Sequence, residues 1–144
     1  MGERGRLLTA VVERLLPSDL GTGARETGAA KYVEQALEHS AYRRGVEQCL
    51  NLLATMASEK DEAPFEELPP ERQDVLLGAL AEHAEPAVRN VFRTLVTLSL
   101  EGFLCRPERG GNRDGLGWRF MGYGEIAPWP GACLHPADEQ EAGP

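Results

Sequence analysis

Few residues in this chain could carry chemistry on their own. It holds three cysteines and three histidines in 144 residues. Cys49, Cys105 and Cys133 are too scattered for a disulfide framework. No Cys-x-x-Cys pair is present to begin a zinc site or a haem attachment. The residues three positions before His39, His83 and His135 are Ala36, Leu80 and Ala132, so the Glu-x-x-His pairs of a di-iron bundle are missing. Cys133 and His135 form one weak pair, against the four ligands of a closed metal site. No Gly-x-Ser-x-Gly elbow occurs. Gly115-Leu116-Gly117 begins like a dinucleotide loop but lacks the third glycine and a strand-to-helix setting.

Other absences concern surroundings and partners. Charges interrupt every apolar stretch well short of the roughly 20 residues needed to cross a bilayer. Met1 to Arg6 contains no apolar secretory core. The net charge is -8, so a nucleic-acid partner is disfavoured by repulsion of the phosphate backbone.

What is present is helical pattern. Apolar residues make up 42% of the chain, enough for a genuine core at this length. Leu7, Leu8, Val11, Val12, Leu15 and Leu16 predict a first helix over about Glu3 to Leu16, stopped by Pro17. Ala29, Tyr32, Val33, Ala36 and Leu37 predict a second within Ala24 to Glu38, its start obscured by Gly21, Gly23 and Gly28. A third, over Ala41 to Ser58 with Ser40 as cap, would bury Tyr42, Val46, Cys49, Leu50, Leu53 and Met56. Pro70 opens a fourth, Glu85-Pro86 closes it, and Phe65 and Leu68 pack back onto its leucines. The fifth, over Ala87 to Leu104, is apolar on most sides and should be central. His39 and His83 lie near helix ends, where the dipole favours a cation.

The expected architecture is therefore all-α: a small bundle of about five helices, residues 1–134 forming one domain. A glycine-rich arm over 106–134, without helical period, should be an ordered loop, and 135–144 an acidic, disordered tail. In the arm, Trp118, Phe120, Met121 and Tyr123 are large anchors, and Arg113 and Arg119 are charged donors. Trp, Tyr and Arg are the residue types that dominate interface hot spots. Trp118 and Phe120 could equally lid the bundle's own core. The candidate partner-binding residues are Gly110, Gly111, Asn112, Arg113, Gly117, Trp118 and Tyr123. No catalytic, cofactor-binding or metal-binding residue is expected.

Read in order, several segments resemble one family. They are Leu15-Leu16-Pro17-Ser18-Asp19, Gly23-Ala24-Arg25-Glu26-Thr27-Gly28, Phe65-x-x-Leu68, Gly102-Phe103-Leu104, Arg109-Gly110-Gly111-Asn112, Gly117-Trp118 and Gly122-Tyr123-Gly124. Together they are similar to the gluconate 2-dehydrogenase subunit 3 family, small subunits that accompany flavin-dependent dehydrogenases of the glucose-methanol-choline type. Three positions depart from the pattern: Arg106 stands for an acidic residue, Arg109 for an aromatic one and Gly124 for proline. The arm is thus more basic than its relatives' arms.

The resemblance implies a non-catalytic accessory subunit that binds, stabilises or matures a flavin-dependent sugar or alcohol dehydrogenase. FAD would sit in that partner and none in this chain, and a cytochrome c subunit often takes the electrons. The alternative is a free-standing helical chaperone or regulatory module. Many members carry a twin-arginine signal. This chain as written shows none, which predicts a cytoplasmic location, or a periplasmic one if the true start lies upstream or a mature form is shown.

Overall fold

One helix organises the rest. In the computed structural model, which describes residues 2–123, α6 (Pro86–Leu104) touches every other α-helix of the described chain. These are α1 (Glu3–Leu15), α2 (Ala24–Thr27), α3 (Ala29–Leu37), α4 (Arg43–Asp61), α5 (Pro70–Ala81) and α7 (Leu116–Phe120). The central place follows from the sequence of α6, in which Phe92, Leu95, Ser99, Gly102 and Phe103 are buried along its length. Ser99 sits in the core because its hydroxyl donates to the Leu95 carbonyl at 2.8 Å, so no polar atom is orphaned. Short 3-10 turns at Phe65–Glu67, Pro107–Arg109 and Arg113–Gly115 complete the architecture, and no strand occurs among the described residues.

The helices form where apolar spacing and stop signals require them. α1 buries Leu7, Leu8, Val11 and Val12 and ends before Pro17. α5 and α6 each carry proline in the first turn, where the missing N–H costs nothing. Phe65 is almost wholly buried ahead of α5, and the Gln73 side-chain amide donates to its carbonyl at 2.9 Å. Arg14 grips Asp74 through two bonds of 2.7 and 3.0 Å, tying α1 to α5. The Ser40 hydroxyl accepts the Tyr42 N–H at 3.0 Å just ahead of α4. His83 Nδ1 accepts the Glu85 N–H at 3.1 Å in the turn between α5 and α6.

Three expectations are corrected. The second helix is two, because Gly28 takes a left-handed conformation (φ 74°) that ends α2 and turns the chain into α3. Tyr42 is 58% exposed, since α4 begins only after it and the side chain never joins the buried stripe. The described part of the arm, 106–123, is not a loop throughout: it contains two 3-10 turns and α7. Gly124, Cys133 and His135, the remainder of the arm and the acidic tail lie outside the described residues.

The loop from α1 to α2 is fixed by one carboxylate. Glu26 accepts the Ser18 hydroxyl at 2.6 Å and reaches back to the Gly23 N–H at 2.7 Å. This is the half of a capping box that a glycine cap permits. The Ser18 hydrogen bond, followed by the Gly23 N–H, lowers the Glu26 pKa below the ordinary carboxylate value.

Two outcomes follow. Leu95→Ala, at a site 1% exposed on the central helix, should lower unfolding free energy by about 2–5 kcal/mol in urea titrations with an unchanged m-value. A lowered folded-state pKa means that the contribution of Glu26 is present above the unfolded carboxylate range and lost as pH falls through the folded value. The stability gap between the wild type and Glu26→Gln should therefore be widest at neutral pH and close below about pH 4. A gap that widens on acidification would contradict the assignment.

Candidate partner-docking site

The C-terminal end of α6 presents carbonyls that no further helical turn can satisfy. The arm supplies what they lack. Asn112 lies wholly buried in a left-handed conformation (φ 43°, ψ 48°), which asparagine tolerates better than most residues. Its N–H donates to the Gly102 carbonyl at 2.8 Å, and its side-chain Nδ2 donates to the Cys105 carbonyl at 2.8 Å. Its Oδ1 accepts the Gly117 N–H at 2.7 Å, and its carbonyl accepts the Gly115 N–H at 2.9 Å. A single residue thus caps α6 and holds the first turn of α7. The Trp118 indole Nε1 donates to the Leu104 carbonyl at 2.8 Å.

These bonds require backbone to lie on backbone. A Cβ at Gly111 would overlap the Gly102 carbonyl, and one at Gly117 would overlap that of Phe103. Gly102 in turn faces Ala29 of α3, where an added Cβ would come within 2.9 Å of the Ala29 carbonyl. Neither partner in those contacts is a side chain that could swing aside. The α2–α3 break joins the same assembly, since the Arg113 guanidinium lies next to Gly28. The Gly-Ala-x-Glu-x-Gly segment and the glycine-rich arm, far apart in sequence, meet at one end of the molecule.

The expected binding residues therefore sort into two groups. Gly111, Asn112 and Gly117 are buried, and the amide of Asn112 is bonded within the chain at both ends. Gly110, Arg113 and Tyr123 are exposed, and Trp118 is half-buried. Gly111, Asn112, Gly117 and Trp118 meet the end of α6, Gly110 lies against Gln35 and Arg113 against Gly28, while Tyr123 stands at the edge, its N–H donated to the Trp118 carbonyl at 2.9 Å.

Beside this cap opens an apolar groove of about 550 Å³. Its walls come from the α1–α2 loop, the outward side of α6 and α7, and they include Leu16, Leu20, Leu100, Leu104, Phe120 and Met121. Five of these are large apolar side chains left exposed: Leu20 by 82%, Leu100 by 46%, Leu104 by 39%, Phe120 by 44% and Met121 by 52%. Only Asp19 contributes a charged side chain to the wall. Phe120 stands edge-on to the buried ring of Phe103 (5.8 Å between centroids, 87° between planes), so α7 is anchored to α6 while its far face stays open. A concentration of apolar surface on this scale marks a contact site more often than chance.

A profile of the gluconate 2-dehydrogenase subunit 3 family matches residues 2–124. The chain belongs to that family. The match spans every element described above, including the groove and the arm that forms one of its walls. No curated protein and no solved structure matches the chain.

The family places the chain among subunits of a dehydrogenase, and its profile covers all the described residues. Among them no group of three or more His, Cys, Asp or Glu residues is arranged to hold a metal. No described helix is long and apolar enough to cross a membrane. Cys49 is buried, and burial pushes its thiol up to about 11, so it stays protonated at neutral pH. Cys105 is half-buried and shifted in the same direction, chiefly by burial. Leu20, Leu100 and Leu104 are groove residues that sequence reasoning did not single out. The signal for the last two was that α6 is apolar on more sides than its neighbours can cover.

Asn112→Ala should remove the partners of the Cys105 carbonyl and the Gly117 N–H together. At about 1–3 kcal/mol for each buried group left unsatisfied, the variant should unfold at distinctly lower urea concentration. The near-UV circular dichroism of the Trp118 region should flatten before the helical far-UV signal is lost. Stability equal to wild type would show that the staple carries no weight.

Proposed function

We propose that this chain is an accessory subunit that docks, through the apolar groove and the adjoining arm, onto the flavin-dependent catalytic subunit of a dehydrogenase acting on a sugar, sugar acid or alcohol. The flavin belongs to that partner, and this chain binds, stabilises or matures it. The observation that carries the reading is the coincidence of two things at one end of the molecule. The glycine-rich segments around Gly23–Gly28, Gly102 and Gly110–Gly117, which carry much of the family likeness, form the frame, and five of the large exposed apolar side chains form the face beside it.

The two groups have separate tasks in this reading. Gly111, Asn112 and Gly117 fix the arm against α6. Leu20, Leu100, Phe120 and Met121 supply apolar area, while Trp118, Tyr123, Gly110 and Arg113 supply the rim. Burial of apolar side chains within a polar rim is the usual anatomy of a specific interface. The exposed arginines of the arm, Arg106, Arg109, Arg113 and Arg119, suit an acidic patch on the catalytic subunit. A cytochrome c subunit would then receive electrons from the flavoprotein without needing this chain as a conduit.

Leu20→Asp and Leu100→Glu alter side chains that are already exposed, so the isolated chain should keep its thermal stability. Each should weaken the complex with the co-expressed dehydrogenase by about tenfold or more, equivalent to about 1.4 kcal/mol. The readout is loss of the flavin-absorbing stoichiometric peak in size exclusion. A complex that survives both substitutions, or a wild-type chain that never co-elutes with flavoprotein, would overturn the proposal and favour a free-standing helical module.

A further inference from the structure

The groove is too small to be a whole interface. The residues that line it number about half of the roughly 20–30 a side that a standard interface uses. Its surface continues across one ridge. Leu100 and Leu104, one turn apart on α6, wall the groove and also a second, more open hollow of about 520 Å³. Tyr32 of α3, Thr97 and Glu101 of α6, Cys105 and Arg109 complete that hollow. Thr97, Leu100, Glu101 and Leu104 follow one another at helical spacing, so a single stripe of α6 faces it.

The two hollows differ in character. The groove is apolar but for Asp19, whereas the second hollow holds one charge of each sign, Glu101 and Arg109. Its anion already has a donor, since the Tyr32 hydroxyl donates to Glu101 Oε2 at 3.2 Å. Burial, and then the charge of Glu101, raises the Tyr32 pKa, so the phenol keeps its proton and stays a donor. Its cation is differently placed. Arg109 is exposed and makes no salt bridge among the described residues. The turn Pro107–Arg109 and the left-handed Gly110 (φ 97°) fix its backbone at the rim, with the Arg109 N–H donated to the Arg106 carbonyl at 2.9 Å. The complement that the second hollow lacks is therefore an anion, and a guanidinium matches a planar carboxylate through two parallel N–H donors.

We propose that the docking face straddles the Leu100–Leu104 ridge, and that a carboxylate side chain of the catalytic subunit enters the second hollow and pairs with Arg109 while that subunit's apolar surface fills the groove. The inference rests on the docking function proposed above and adds to it a second compartment and the chemistry that compartment selects. Apolar area in the groove holds the complex together. The pair at Arg109 sets the register and rejects a partner with a cation at that place, because like charges brought together there are repelled.

The full chain and its variants can be titrated with the purified dehydrogenase holoenzyme at two ionic strengths. Arg109→Glu should weaken the complex by about tenfold or more at low salt. The gap should shrink at about 1 M salt, where the screening length falls to about 3 Å. Arg44→Glu makes the same charge change at an exposed position of α4 outside both hollows and should bind like wild type. Thr97→Trp fills the hollow without altering charge and should also weaken binding, while Thr97→Ser should not. All these positions are exposed, so thermal unfolding of the free chain should stay near wild type. Arg109→Lys keeps the charge and places a primary amine in the hollow. A carbodiimide should condense that amine with the partner's carboxylate into an amide, taking up the water released, and peptide mapping would name the residue. Wild-type binding by both Arg109→Glu and Thr97→Trp, or an amide formed only with Glu101 of this chain, would overturn the inference. If Leu20→Asp still loosened the complex in that case, groove docking would stand without the second hollow. An Arg109→Glu defect in a complex indifferent to Leu20→Asp and Leu100→Glu would do the reverse.

Discussion

The unfinished carbonyls at the end of α6 are the constraint on which the rest of the fold depends. A helix buried on most sides cannot leave its last acceptors to water, and leaving one unpaired costs about 1–3 kcal/mol. Asn112 answers two of them, Gly102 and Cys105, and Trp118 answers Leu104. That solution requires the arm's backbone to lie directly on that of α6, which is why side chains are missing at Gly111 and Gly117, while Gly102 is bare where Ala29 of α3 approaches it. It also fixes where α7 starts, because the Oδ1 of the same asparagine holds the Gly117 N–H. The position of Phe120 and Met121, and hence one wall of the groove, follows from a capping problem one turn away.

Helix existence was legible from apolar spacing wherever an element was long enough to show a period. α1, α4, α5 and α6 lie close to where Leu7 through Leu16, Val46 through Met56, Pro70 and Pro86 predict them. The break at Gly28 was not legible. The glycine was visible as punctuation, but the left-handed turn lets α2 and α3 each pack on α6, a contact the local sequence does not show. Five residues of α7 are too few to display a period, and that helix is stabilised by Asn112 at its start and Phe103 beneath it, both outside its own five residues. Tyr42 misled because an aromatic residue in register with Val46 and Cys49 looks buried, whereas the helix had not yet begun.

For the candidate site, the arm was legible as a distinct glycine-rich segment, and the division of its residues into buried and exposed was not. An asparagine among glycines reads equally well as a turn residue and as an exposed contact. Only the nearness of Cys105 and Gly117 shows where its amide points. The groove was harder still, since Leu20 belongs to a loop and Leu100 and Leu104 to a helix that looked central throughout. A helix can organise a bundle and still leave one strip uncovered at its end.

The contacts at Gly102, Gly111 and Gly117 exclude volume and involve no chemistry. Any residue larger than glycine at these points pushes one backbone off another, while Leu20, Leu100 and Met121 can change shape with no such penalty. Under the docking proposed above, the scaffold and the choice of companion are thus written on different atoms. A lineage could exchange one dehydrogenase for another by re-lettering the outer leucines, with the asparagine staple left untouched.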